Sequence, residues 1–92
     1  MMVSFEWDAV KDEINQEKHG VAFVDAQLAF LDPERVIALD KSHTTTQDKR
    51  LYCMDKVQGG ILTVRFIYRN NKVRIIGAGY WRKGKKVYEK EN

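Results

Sequence analysis

The residues from Gly79 to Glu89 read Gly-Tyr-Trp-Arg-Lys-Gly-Lys-Lys-Val-Tyr-Glu, and cations interleaved with aromatics in this way suit RNA. Arg82, Lys83, Lys85 and Lys86 would meet phosphates, and Tyr80 can stack on a splayed base. The competing reading is a strand end followed by a solvated basic tail, with Tyr80 or Trp81 in the core because an aromatic ring buries so much area. Lys18 and His19 stand together at the end of a helical stretch. Lys18 can bind a phosphate or simply be solvated. His19 can move protons, although a histidine there more often caps the helix, its charged form meeting the negative dipole end. Cys53 lies among apolar residues of a strand and reads as a buried structural thiol. His19 and His43 are the only histidines, and no spacing resembles a zinc or calcium loop, so no metal or cofactor is expected.

These residues must be positioned by a small scaffold. A chain of 92 residues predicts one domain over 1–92, too short for a barrel enzyme or a full dinucleotide-binding fold. Its single cysteine forms no internal disulfide and predicts a reducing, cytoplasmic setting. No apolar run approaches a membrane span, and the start, Met1 to Asp8, lacks the features of a leader. The charge is polarised. Residues 1–48 carry a net −6 and residues 49–92 a net +9. A basic half of this kind points to a polyanion or an acidic protein partner.

The hydrophobic pattern sets out the elements. Phe5-Glu6-Trp7 reads as a short strand or an anchoring aromatic pair. Asp8 is a candidate N-cap for a helix to about Lys18 that stops at Gly20, with a thin apolar stripe of Val10 and Ile14. Val21 to Phe30 reads as a second helix, ended by Asp32-Pro33, so the two form a hairpin. Beyond Pro33 the period becomes two. Strands are expected at 35–40, 50–57, 61–68 and 73–81, joined by a polar loop from Lys41 to Asp48 and turns at Gln58-Gly59-Gly60 and Asn70-Asn71. The last hairpin then pairs Tyr68 with Val73, Phe66 with Ile75 and Val64 with Gly77, facing the helices. Thr63, Arg65 and Ile67 face Ala78, Ile76 and Arg74 on the other side, placing Arg65 and Arg74 together on a helix-free face.

Phe5-Glu6-Trp7-Asp8, Lys11, Asn15, Lys18-His19-Gly20-Val21, Phe23, Ala26, Phe30 and Asp32-Pro33 together resemble the N-terminal signature of BrnT-type toxins. Arg74-Ile75-Ile76 and the later Tyr88-Glu89 resemble the C-terminal signature. The resemblance implies an α+β, RelE-like fold: a helix hairpin on one face of a small antiparallel sheet and an RNA groove on the other. It implies the ribonuclease half of a type II toxin–antitoxin pair, cutting RNA without metal by attack of a 2′-hydroxyl on the adjacent phosphate. Its partners would be RNA and a cognate antitoxin, with operator DNA met only through the antitoxin. Arg65, Arg74, Arg82 and Lys83 are then candidates for phosphate stabilisation, and Tyr88 and Glu89 for proton transfer. One departure stands out. Typical members read Arg-Ile-Ile-Ser-Ala-Arg, whereas this chain reads Arg74-Ile75-Ile76-Gly77-Ala78-Gly79. Either Arg82 reaches the same space, or the chain is a weakened or inactive module that binds RNA or antitoxin.

Overall fold

The computed structural model describes residues 4–45 and 48–92. Met1–Val3, at the head of the segment read for a leader, and Thr46 and Gln47 of the polar loop lie outside the described residues. The chain is mixed α+β. Its strands are β1 (Phe5–Trp7), β2 (Val36–Leu39), β3 (Arg50–Val57), β4 (Gly60–Arg69) and β5 (Lys72–Gly79). Its helices are α1 (Ala9–His19), α2 (Phe23–Ala26) and α3 (Arg82–Glu91), with a 3₁₀ segment at Gln27–Leu31. The sheet order is β1-β5-β4-β3-β2. The expected antiparallel meander runs from β2 to β5, and β1 joins it as a fifth strand, parallel to β5.

The tight turns follow from residues that accept the left-handed region. Gln58 and Gly59 have φ of 48° and 85°, and Asn70 and Asn71 have 53° and 62°. Two successive positive values twist a hairpin in the sense the strands need. Below the core face of the sheet, Phe66, Val64, Ile75 and Leu62 pack against Phe23, Ala26 and Ala29.

Helix α1 begins where Asp8 accepts hydrogen bonds from the amides of Val10 (2.8 Å) and Lys11 (3.1 Å). It ends at Gly20, whose φ is 69°. Its orientation departs from expectation. Val10 and Ile14 are exposed, and Asn15 is the residue turned inward. Asn15 Nδ2 donates to the carbonyls of Val21 (2.8 Å) and Ala78 (2.9 Å), while its Oδ1 accepts from the Ala78 amide (3.2 Å). A polar clamp therefore ties α1 to β5, and this outweighs the small gain from burying a two-residue stripe.

The second helix is shorter than its periodicity predicts. Only Phe23–Ala26 is α-helical, and the backbone tightens to 3₁₀ from Gln27 to Leu31. The apolar residues keep contact with β3 and β4, so the tertiary packing holds while the helix type changes. A full second α-helix does not form.

Two further corrections bear on the site. The pairing runs as expected from Tyr68–Val73 to Phe66–Ile75, then a bulge shifts it, and Arg65 faces Gly77 while Val64 faces Ala78. Ile76 is the extra residue, so Ala78 turns into the core and Gly77 and Gly79 turn to the other face. In addition, β5 stops at Gly79 and the basic tail is helix α3, which packs on β3 and β4. The face expected to be free of helices is partly covered. Among the described residues, no helix is long and apolar enough to cross a membrane.

Candidate functional site

Helix α3 divides the second face of the sheet. Its spacing places Gly84 and Tyr88 inward, four residues apart, and both are buried. Gly84 is required there, since a Cβ would collide with Thr63 Oγ1 and press on Met54. Lys83 and Val87 then flank a cavity of about 730 Å³ on one side. Lys85 and Glu89 flank a second, of about 840 Å³, on the other.

The first cavity is floored by Ala38, Tyr52 and Arg65, neighbours in one cross-strand row. Its far wall is the segment after β2, from Asp40 to His43. Asp40 is buried and closely held: its amide donates to the Arg50 carbonyl (2.7 Å) and its own carbonyl accepts from Thr44 Oγ1 (2.7 Å). Its Oδ2 lies 2.9 Å from His43 Nδ1, and its Oδ1 accepts from Ser42 Oγ at 2.9 Å. Burial alone would raise the Asp40 pKa, but hydrogen bonds from Ser42, His43 and Tyr52 outweigh it and hold the carboxyl at about 2. The same contact, with burial the larger cause, pushes the Tyr52 hydroxyl upward. A histidine held at Nδ1 by a carboxylate keeps Nε2 free to take or give a proton.

The residues singled out in the sequence separate into several places. Arg65 and Lys83 line the cavity that holds His43. Arg74 shares the sheet face but is paired with Glu6 Oε2 at 2.7 Å. Arg82, Tyr80, Lys85, Tyr88 and Glu89 line the second cavity. Within that group the Tyr88 hydroxyl donates to Asp32 Oδ2 (2.8 Å), a bond that pushes its pKa up to about 12 and commits its proton. Tyr80 is exposed, not core, and Lys86 points to solvent. Lys18 is exposed at the end of α1, and the His19 ring meets Trp81 edge-on at 5.1 Å. Cys53 is fully buried, its Sγ 3.7 Å from the Ala29 carbonyl, and burial pushes the thiol up to about 12.

Gly79 belongs to the row Met54–Thr63–Gly79 on the same face as Arg65. A Cβ there would lie 2.7 Å from Trp81 Cζ2. The indole of Trp81, which also lines the first cavity, occupies the space a side chain at this position would use. The obstacle is thus the tryptophan, since the Gly79 backbone is not left-handed. Asp40, His43 and Tyr52 were not legible as a site. The one available signal was the Asp-x-x-His spacing directly after a strand.

Residues 7–84 match the family described as the ribonuclease toxin, BrnT, of type II toxin-antitoxin systems. The chain belongs to the BrnT family. No curated protein matches it. The BrnT match begins in β1 and ends in the first turn of α3, so it takes in the lining of the first cavity except Val87. Membership in a type II toxin–antitoxin family implies an antitoxin as partner.

Proposed function

We propose that this BrnT toxin is a cytoplasmic endoribonuclease with a RelE-like plan in one domain, and that it cuts RNA in the cavity between α3 and the segment after β2. The observation that carries this reading is the His43–Asp40 contact of 2.9 Å in the same cavity as Arg65 and Lys83. His43 Nε2 takes the proton of a ribose 2′-hydroxyl, which attacks the adjacent phosphorus. The P–O5′ bond breaks, the 5′-oxygen leaves as a hydroxyl with a proton from water, and a 2′,3′-cyclic phosphate remains. Arg65 and Lys83 stabilise the charge that builds on the phosphoryl oxygens. Asp40 fixes the ring and balances the imidazolium. The reaction requires no metal ion, so cleavage should persist in excess chelator. Arg82, Lys85, Lys86 and Tyr80 lie outside this cavity and serve the flanking strand, and the antitoxin abolishes cleavage.

The test is RNA cleavage by purified protein. His43→Ala and Arg65→Ala should each slow it by at least about a hundredfold, the scale expected of a lost general base or charge stabiliser. Both variants should keep the wild-type fold. The tryptophan over Gly79 favours a second reading, in which a BrnT scaffold binds RNA or antitoxin without cutting. Wild-type protein that binds RNA but leaves it intact would establish that reading.

A further inference from the structure

A third cavity, of about 490 Å³, lies away from the proposed cleavage site, between the 3₁₀ segment, the chain entering β2, the end of β3 and Tyr88 of α3. Leu28, Leu31, Pro33 and Val57 supply apolar walls, and Asp32, Glu34 and Asp55 supply three carboxyl groups. Asp55 is only 1% exposed, and its Oδ1 has no hydrogen-bond partner. Asp32 is held in place, accepting from the Lys56 amide (3.0 Å) and the Tyr88 hydroxyl (2.8 Å). Among the described residues, no Lys or Arg forms an ion pair with Asp32, Glu34 or Asp55. Nor do the described residues bring three metal-ligating side chains together anywhere.

A buried carboxyl without a partner is costly, and a strand position facing the core would ordinarily hold an apolar residue. The arrangement is what a long cationic side chain needs: apolar walls for its methylenes and carboxyl groups for its head. The surroundings suit a bound peptide. Leu28 and Leu31 are exposed at the rim, at 49% and 73%, and Ile37 and Leu39 are exposed on the outermost strand, β2, whose outer edge pairs with no other strand among the described residues. The same half of the chain carries a net −6.

We infer that this cavity is the receptor for an arginine or lysine side chain, flanked by apolar residues, presented by the antitoxin. The inference rests on the family's implied partner and not on RNA cleavage. The side chain would enter between Leu28 and Val57 and pair with Asp55 and Asp32. Its flanking residues would cover Leu31 and lie along β2.

Two measurements test this, neither involving RNA. The first is calorimetric titration of the toxin with the antitoxin encoded beside it. Asp55→Asn should weaken binding by at least about tenfold, as loss of one partner of a buried charge pair does. Leu31→Ser should weaken it by a smaller factor. The second follows the Asp55 carboxyl by NMR in wild-type protein, which answers the question even if a variant folds poorly. Asp32, Glu34, Tyr88, Lys56 and Arg35 are the charged or titratable groups around it, and their resonances serve as controls. Free, Asp55 should titrate abnormally high. With antitoxin bound it should stay ionised well below its free midpoint, and ethylguanidinium alone should shift the Leu28 and Leu31 methyl signals in wild type but not in Asp55→Asn. Antitoxin affinity within twofold of wild type, with an unmoved Asp55 titration, would overturn the proposal. A concentration-dependent Asp55 shift without antitoxin would also overturn it, in favour of a second copy of the toxin. Failure to cleave RNA would leave these readouts untouched.

Discussion

Single side chains decide more in this molecule than its composition suggests. Asn15 spends all of its amide on the backbone of Val21 and Ala78, in a buried setting. Truncation to Ala would leave the Ala78 amide and two carbonyls short of partners. We expect Asn15→Ala to cost about 2–3 kcal/mol, read from the shift in urea midpoint at constant slope. Two aspartates have opposite linkage to pH. Asp40 titrates at about 2 when folded against an ordinary 3.8, so its contribution is complete above pH 4 and is lost as the pH falls toward about 2. Asp55 is raised to about 6, chiefly by burial and then by Asp32, so the folded state is favoured while it stays protonated and loses ground as pH rises through about 6. Melting curves from pH 2 to 8 should therefore show Asp40→Asn flattening the acid limb. Asp55→Asn should raise Tm at pH 7 and leave it almost unchanged at pH 3.5. Gly79→Arg, the residue that the resemblance implies there, should destabilise the protein, because the new Cβ meets the Trp81 indole at 2.7 Å. A Gly79→Arg protein that melts at the wild-type temperature would mean that Trp81 swings aside freely.

At the scale of elements, local chemistry was legible and facing was less so. The N-cap Asp8, the stop at Gly20, the span of β3 and both turns are decided by neighbouring residues, and each formed as read. The face of α1 was misjudged because apolar periodicity is blind to an asparagine that satisfies another segment's backbone. The pairing beyond Ile75 was misjudged because a bulge leaves no mark stronger than two nearby glycines. The tail was misjudged because Arg82–Glu91 is so rich in charge that its inward pair, Gly84 and Tyr88, is inconspicuous. The last two hid the site: with the bulge and α3 in place, Arg82 and Tyr88 line the second cavity and Lys83 lines the first with His43. The fit of α3 gives a direct test. Gly84→Ala would normally favour a helix by about 0.5–1 kcal/mol, yet here it should lower Tm, because α3 must lift away from Thr63. RNA cleavage should fall with it. By contrast, Lys86→Ala, on the solvent side of the same helix, should leave Tm within a degree or two.

Over the whole molecule, charge is sorted by face as well as by sequence. The basic ridge of α3 stands over one side of the sheet, while the acidic cavity behind the 3₁₀ segment opens near the β2 edge. RNA and a basic antitoxin segment can therefore be attracted to different regions of one small body. Neutralising Arg82, Lys83, Lys85 and Lys86 together should flatten the log–log salt dependence of RNA binding by up to about three, at about 0.7 per phosphate contact. Antitoxin affinity should change little in that variant. An unchanged slope would place the RNA elsewhere on the protein.

The parallel pairing of β1 with β5 has a consequence for the chain while it is being made. Glu6 and Arg74, its paired side chains, are 68 residues apart. Closure over that distance waits until nearly all of the sheet exists. The proposed cleavage cavity waits longer still, since one wall comes from Asp40 to His43 and the other from Trp81 to Val87. No nascent chain that ends before α3 can carry it. During translation Leu28 to Leu39, with the apolar rim and the β2 edge, leave the ribosome first, but Tyr88 of α3 completes the acidic cavity, so both cavities close only once α3 is made. A toxin built in this order acquires its activity and the full cavity proposed for its restraint together.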